Sequence, residues 1–268
     1  MRYLFAVLAI STIFFACNQD GRPDQLPYRK KAQKVDSLRL DSLTYVRASG
    51  PCEPACAKVN FAYFKASGGA PGISDSINNH MDRLLVDLLR FGSDTIRPSL
   101  EEATQTFFDD FNKEQEEVGR DIGWETELNS SIKFQNEKLL VLELVNYNYL
   151  GGVHPNTQTQ LLNFDLQNAK LLGLSDLTER PEDLLPIVEA YFRKEARAKA
   201  GADIDIEDVI FKERLTLPQN VGIQKEGLYF FYNPYEVAAY AFGPTDFVIP
   251  YSELDSLVEL RGLLEASH

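Results

Sequence analysis

Three strand-like segments in the middle of the chain constrain the possible folds most. They span residues 124–134, 138–150 and 157–166. The second is an apolar run, and the third alternates apolar and polar residues with the period of two that is typical of half-buried β-strands. The first two segments are separated only by Gln135-Asn136-Glu137, which is a hairpin signal. The sequence therefore predicts antiparallel strands at the centre of the fold.

Further strands are predicted at residues 57–65, 227–235 and 245–251. Segments between the predicted strands show the apolar spacing of amphipathic helices. Each predicted helix has a start or stop signal. The helices are one from Ser74 or Asp75 to Gly92, one from the capping box Ser99-Leu-Glu-Glu102 to Gly119, one from Pro186 to Ala200, and a short closing helix capped by Ser252. Helices grouped between antiparallel strands define the α+β class, with helices packed on one face of the sheet.

The N-terminal residues 1–16 form an apolar run that begins with Arg2 and ends directly before Cys17. A basic start, a short apolar middle and a small residue at the cut are typical of a secretory signal. The small residue followed by cysteine resembles a bacterial lipoprotein signal, in which Cys17 becomes lipidated. The alternative is ordinary cleavage that leaves Cys17 free.

Residues 17–50 are predicted to be a basic, flexible tether, because residues 21–50 carry seven Lys and Arg against three Asp and few large apolar side chains. A transient helix is predicted around residues 30–46. From residue 51 onward the balance reverses to 19 Lys and Arg against 36 Asp and Glu, a net charge of −17. Such a body repels nucleic acid and attracts basic partners, although an acidic surface also serves solubility.

Cys52 and Cys56 remain as a pair in the sequence PCEPAC. In an oxidising envelope such a pair suggests a disulfide that closes a tight loop, which the neighbouring prolines favour. The same spacing fits two metal ligands, but no histidine or cysteine cluster lies near enough in sequence to complete a zinc site. The sequence predicts no metal site and no cofactor.

Four phrases carry a family resemblance: YNYLGGVHPN (147–156), LLNFDLQNAKLLGLSDL (161–177), GLYFFYNPYEVAAYAFGP (227–244) and VIPYSEL (248–254). Together they resemble the extracytoplasmic domain shared by the lysozyme-sensing anti-sigma factor RsiV and the peptidoglycan deacetylase PdaC, whose C-terminal portion is known as domain of unknown function 3298. Residues 59–85 resemble the 4163-like companion domain that precedes it. The resemblance implies a single compact ectodomain of two intimate halves, 51–150 and 151–262. Compared with these relatives, the chain is expected to lack the deacetylase's catalytic domain and the anti-sigma factor's cytoplasmic segment.

His154, in the phrase YLGGVHPN, is the residue most open to a chemical role. The two preceding glycines permit a bulge or a positive φ, and Pro155 fixes the chain direction, so a structural role is favoured. In that role the imidazole bonds to a neighbouring strand or to Tyr235-Glu236. The second interpretation is a ligand-binding surface formed by Tyr149, His154, Asn156, Tyr235, Glu236 and Tyr240. His80, beside the apolar stripe of the first helix, is interpreted as a half-buried structural histidine.

No nucleophile motif or metal-ligand spacing points to catalysis, so the chain is predicted not to be an enzyme. The favoured function is a lipid-anchored protein of the bacterial cell envelope, periplasmic or on a surface face of a membrane, with a non-catalytic binding ectodomain. By resemblance, its partners are wall glycan (peptidoglycan) or a cationic wall-active protein such as lysozyme, and not nucleic acid. The alternative is an envelope hydrolase that acts on peptidoglycan or another glycan through unrecognised carboxylates.

Overall fold

The computed structural model describes residues 37–90, 97–119, 121–201, 205–211, 215–254, 257–260 and 262–264. The predicted signal segment, Cys17 and the tether up to residue 36 lie outside these ranges. Among the described segments, none of the helices combines the length and the apolar character that a bilayer crossing requires.

A six-stranded sheet occupies the first part of the described chain. Its strands, in spatial order, are β1 (Arg39–Ala48), β2 (Ala57–Ser67), β3 (Trp124–Gln135), β4 (Leu139–Tyr149), β5 (Asn156–Asp165) and β6 (Lys170–Leu172). Neighbours pair antiparallel, except that β2 and β3 run parallel. A parallel pair needs a long crossover, and helices α1 (Ile73–Leu88) and α2 (Leu100–Val118) lie in that connection.

One face of this sheet carries the two helices and the first hydrophobic core. Leu140, Leu142 and Leu144 alternate along β4 into this core, where Phe107 and Phe111 of α2 pack on the Trp124 ring. Helix α2 begins as predicted: Ser99 Oγ accepts a hydrogen bond from the Glu102 N–H at 3.2 Å. The predicted α+β class, with helices packed on one face of a sheet, is confirmed; the six-stranded sheet is antiparallel except at the β2–β3 pair.

A second, three-stranded antiparallel sheet forms from β7 (Asn220–Ile223), β8 (Gly227–Tyr232) and β9 (Thr245–Pro250). Helix α4 (Pro181–Ala200) packs against it, the short helix α5 (Tyr251–Leu254) contacts β9, and the short helix α3 (Leu174–Leu177) contacts β6 of the first sheet. The second core lies here and includes Leu139 and Val141, which point from β4 to the face opposite α1 and α2.

Two boundaries differ from the sequence predictions. Helix α4 begins at Pro181 rather than Pro186, which lies inside the helix, because Pro181 takes the first-turn position. Helix α1 begins at Ile73 with Gly72 as its N-cap, rather than at Ser74 or Asp75, and Leu89 is its C-cap. The predicted end at Gly92 lies outside the described residues.

Residues 39–48 also differ, because they form the ordered strand β1 rather than part of a flexible tether or a transient helix. Their pairing with β2 continues without a register shift from Arg39↔Ser67 to Ala48↔Lys58. Tyr45 fixes the strand further, since its hydroxyl contacts Thr104 and Glu101 at 2.9 Å each. The tether prediction therefore fails for this segment.

The division of the body at residue 150 also needs correction, because the six-stranded sheet continues past it. Strands β4 and β5 pair from Leu139↔Asp165 to Asn148↔Asn156, so a boundary at 150 would separate two central strands. The first sheet ends with β6 at Leu172, and the elements of the second core follow from α3 onward.

Three asparagines join the two sheets where β5 meets β7 and the turn after β8. Asn163, which is 2 % exposed, donates to the Val221 carbonyl at 2.7 Å and accepts from the Ile223 N–H at 2.8 Å. Asn220 accepts from the Leu161 N–H at 3.2 Å, and Asn233 bonds both the N–H and the carbonyl of Thr159. Side-chain amides thus complete the hydrogen bonding of a strand edge that would otherwise be buried unsatisfied.

Candidate functional site

The loop between β4 and β5 places His154 at the end of the six-stranded sheet. Gly151 has a φ of 77° in this loop, and a Cβ there would lie 3.5 Å from Ile122 Cγ2 and 3.7 Å from Trp124 Nε1. A left-handed residue without a side chain therefore suits this corner. Val153 and His154 are exposed, and β5 begins at Asn156.

A turn after β8 presents Tyr235 to the same place. The Glu236 N–H donates to the Asn233 carbonyl at 3.1 Å, with Pro234 second in the turn and Tyr235 third at a φ of 67°. These are the features of a type II turn, in which the third position normally holds glycine or asparagine. The Glu236 carboxylate holds the turn by accepting from the N–H groups of Asn233 and Gln219 at 2.9 and 2.8 Å.

His154 connects the loop to this turn. Its Nδ1 lies 2.8 Å from the Pro155 carbonyl oxygen, and its Nε2 lies 3.2 Å from the Tyr235 hydroxyl. Because a carbonyl oxygen only accepts, Nδ1 carries a proton, and in the neutral ring Nε2 accepts from the tyrosine hydroxyl. The geometry matches the structural role predicted for His154, in which the imidazole bonds to the Tyr235-Glu236 region.

Tyr240 completes the cluster by stacking on the imidazole. The two ring centres are 3.9 Å apart with 15° between the planes, and the Tyr235 ring lies 5.5 Å from that of Tyr240. The turn that carries Tyr240 is attached to the end of α4, where the Lys199 ammonium contacts the Pro244 carbonyl and lies 4.7 Å from the centre of the Phe242 ring.

Two further tyrosines stand on the adjacent face of the sheet, where each lies opposite a carboxylate. Tyr147 pairs with Glu127 and Tyr149 with Glu125 across β4 and β3. Partial loss of hydration, together with the charges of Glu125 and Glu127 and the nearby Tyr149 and Tyr240, raises the pKa of the Tyr147 hydroxyl. We call Tyr147, His154, Tyr235 and Tyr240 the aromatic corner; Tyr149, Glu125 and Glu127 flank it.

The structure brings three of the six predicted surface residues into contact, namely His154, Tyr235 and Tyr240, and Tyr149 flanks them. Asn156 differs from the prediction, because it pairs with Asn148 and so lies on the sheet face opposite Tyr147 and Tyr149. Glu236 also differs, because backbone N–H groups occupy its carboxylate. Tyr147, Glu125 and Glu127 were not predicted, although the alternation of β4 places Tyr147 on the face of Tyr149.

A groove of about 630 Å³ lies on the other side of Tyr235, and α1, β4, β5 and the Asn233–Glu236 turn line it. Its polar groups include Asn220, Asn233 and Glu236, which already bond to backbone groups in the joint and the turn. The groove therefore belongs to the junction between the sheets, whereas the His154 and Tyr235 side chains of the aromatic corner are exposed.

The remaining predicted sites are placed as follows. Cys52 and Cys56 form a disulfide with their Cα atoms 4.6 Å apart. His80 is half-buried: its Nδ1 lies 2.8 Å from the Ser76 carbonyl, and its ring packs edge-on against Phe164. Within the described part of the chain, no group of three or more His, Cys, Asp or Glu residues is arranged to hold a metal ion.

Two family models match separate parts of the chain. Residues 52–157 match the family described as deacetylase PdaC, and residues 175–252 match the family described as protein of unknown function DUF3298. Curated relatives include immunogenic protein MPT64 of Mycobacterium tuberculosis and immunogenic protein MPB64 of Mycobacterium bovis. Each is 28% identical over 129 residues, which are 48% of this chain and 55% of the relative. The chain thus spans about half the length of these relatives.

Solved structures show the same fold. A DUF3298 family protein of Pseudomonas aeruginosa has a TM-score of 0.66 and 21% identity, over 87% of this chain and 99% of that one. A DUF3298 family member of Bacteroides fragilis has a TM-score of 0.66 and 22% identity, over 87% of this chain and 98% of that one.

Proposed function

We propose that this chain, which carries a PdaC-type region over residues 52–157 followed by a DUF3298 region over residues 175–252, is a lipid-anchored cell-envelope protein whose ectodomain binds a partner without converting it. The proposal is carried by the stack of Tyr240 on the exposed ring of His154, with ring centres 3.9 Å apart, beside the carboxylates of Glu125 and Glu127.

The backbone of Tyr235 supports a contact role for its side chain. A tyrosine in the left-handed region costs on the order of 1 kcal/mol, which glycine at the same turn position would avoid. The Tyr235 side chain is 53% exposed, so burial of the ring in a core does not offset that cost. Its contacts are with His154 and Tyr240, and the strained turn thus serves to present a ring at the surface.

His154 is arranged to orient its neighbours rather than to act as a base. Both of its nitrogens have partners, the Pro155 carbonyl and the Tyr235 hydroxyl, and its ring face lies on Tyr240. In the neutral ring Nε2 is occupied by the tyrosine proton, so no lone pair is directed at solvent. We therefore assign His154 a positioning role between two contact tyrosines.

Charge favours a cationic protein over an uncharged glycan as the partner. From residue 51 onward the chain carries a net charge of −17, and Glu125 and Glu127 lie beside Tyr147 and Tyr149. Such a field increases the rate at which a basic partner arrives, while tyrosines supply contact area at low entropic cost. A lysozyme is the natural probe, because it is cationic and acts on the wall, and because the family resemblance names it.

The anchor belongs to the same proposal: cleavage before Cys17 and acylation of that cysteine would hold the protein at a membrane of the envelope. Changing Cys17→Ser is expected to move the protein from the membrane fraction to the soluble fraction and to abolish incorporation of a labelled fatty acid. Equal membrane recovery of the Cys17→Ser and wild-type chains would contradict lipidation.

The binding proposal is tested by calorimetric titration of the full-length protein with a purified lysozyme at low and moderate salt. We expect saturable binding at low salt that weakens as salt rises, because screening reduces the attraction between the acidic surface and the basic partner. Purified wall glycan is titrated in parallel.

The other possible results of these titrations lead to different conclusions. Binding of glycan but not of lysozyme would replace the protein partner by a sugar. Release of soluble fragments from wall material, lost when a carboxylate pair is changed, would establish the hydrolase alternative. No binding of lysozyme at either salt concentration would contradict the proposed partner.

A further inference from the structure

We propose that strand β1 is a dimerisation edge, on which a second copy of the chain pairs its own β1 antiparallel about a two-fold axis through Thr44. The strand is ten residues long and lies at the end of the sheet order. Among the described residues, none forms a strand on its outer side. A long, regular strand edge is a template for further pairing, and natural proteins usually interrupt or cover one.

The hydrogen bonds of the neighbouring pair show which backbone groups of β1 face outward. The Ser49 N–H donates to the Ala57 carbonyl at 2.9 Å, so residue 49 points toward β2. In an antiparallel pair, the backbone N–H and carbonyl groups of successive residues point alternately toward the partner strand and away from it. The odd-numbered residues of β1 therefore bond to β2, and the even-numbered ones direct their N–H and carbonyl groups to the outer edge: Leu40, Ser42, Thr44, Val46 and Ala48. The Val46 carbonyl also accepts from the Arg47 guanidinium at 2.9 Å, and its second lone pair is left for a partner strand.

A two-fold axis through Thr44 uses all of these groups. Thr44 then faces Thr44 of the second copy, Ser42 faces Val46, and Leu40 faces Ala48, which gives about ten hydrogen bonds between the copies. The exposed side chains on the strand gain partners too, since Leu43 is 39% and Val46 is 60% exposed in the single chain.

Charge selects this register over its neighbours. With the axis at Thr44, Asp41 of each copy lies opposite Arg47 of the other, in a non-hydrogen-bonded pair where side chains approach most closely. An axis at Leu43 would instead set Arg39 opposite Arg47, and like charges in direct opposition are destabilising. An axis at Tyr45 would leave Asp41 opposite Ser49. The side chain of Arg47 is 47% exposed beside Glu101, so it remains accessible to a second carboxylate.

The register is tested by cysteine cross-linking of the full-length protein under mild oxidation. Thr44→Cys places two sulfurs on residues whose Cα atoms are about 5.5 Å apart across the axis, within disulfide range. Ser42→Cys is the matched control, because the two residues 42 would lie about 14 Å apart along the strands. We expect a cross-linked dimer as the major species for Thr44→Cys and wild-type levels for Ser42→Cys.

A second variant separates dimerisation from folding. The Thr44 N–H faces outward, so Thr44→Pro removes no hydrogen bond to β2, but it removes both bonds at the axis. We expect sedimentation to show a concentration-dependent dimer for the wild type and only single chains for Thr44→Pro, with an unchanged unfolding transition. Equal cross-linking of the two cysteine variants, a dimer that survives Thr44→Pro, or a wild type that stays monomeric at high concentration would overturn the proposal.

Discussion

Replacing Asn163 with alanine is expected to lower the free energy of unfolding by about 2–4 kcal/mol, because two buried backbone groups lose their partner. The Val221 carbonyl and the Ile223 N–H bond to this one amide at 2.7 and 2.8 Å. Alanine offers neither a donor nor an acceptor, and the site is too buried for bulk water to replace them. The change is measured by equilibrium denaturation in urea.

Asn129→Ala is the matched control, because Asn129 is an exposed asparagine on β3 within the same sheet. A surface substitution of this kind is expected to change the free energy of unfolding by no more than about 0.5 kcal/mol. Because Asn163 joins β5 to β7, its loss is also expected to loosen the second sheet preferentially, seen as faster amide exchange in β7 and β8. Equal stability of the two variants would refute the role of the asparagine joint.

The second large effect concerns Tyr240, whose replacement by alanine is expected to weaken lysozyme binding about 30-fold, or ~2 kcal/mol. The ring is half-exposed and stacks on His154, so truncation removes contact area and frees the imidazole that orients Tyr235. The free energy of unfolding is expected to change by no more than about 1 kcal/mol, because the Tyr240 side chain lies outside the two main cores. Affinity is measured by calorimetry, and stability by denaturation.

Tyr63→Ala provides the comparison for this variant. Tyr63 is a half-buried tyrosine of β2 that packs on the first hydrophobic core, away from the aromatic corner. The Tyr63→Ala variant is expected to be less stable than the wild type but to keep the affinity for lysozyme. If Tyr240→Ala and Tyr63→Ala bind lysozyme equally well, the aromatic corner is not the contact surface.

Local signals in the sequence predicted much of the first sheet and its helices. The hairpin of β3 and β4 follows from strand-like runs on both sides of a three-residue turn, and α2 from a serine placed to cap the Glu102 N–H. Strand β1 was missed because most of its residues are exposed, so its apolar pattern is weak and its charges resemble a linker. An edge strand of this kind gains its order from pairing with residues 10 to 28 positions away in sequence, which composition does not reveal.

The asparagine joint was beyond local prediction, because each amide bonds to a segment 58 to 74 residues away in sequence. The same limit applies to the aromatic corner. The sequence indicated that His154 lies near Tyr235, and the glycine and proline around His154 and Tyr235 indicated two turns. It could not give the strand register, which sets Tyr147 opposite Glu127 and turns Asn156 to the other face.

Hydrogen–deuterium exchange of the full-length protein with and without bound lysozyme tests the recognition surface most directly. We predict slower exchange confined to the ends of β3 and β4, the loop around His154 and the turns that carry Tyr235 and Tyr240, with α1 and α2 unchanged. Protection centred on α1 and α2, with the aromatic corner unaffected, would contradict the assignment of this surface as the binding site.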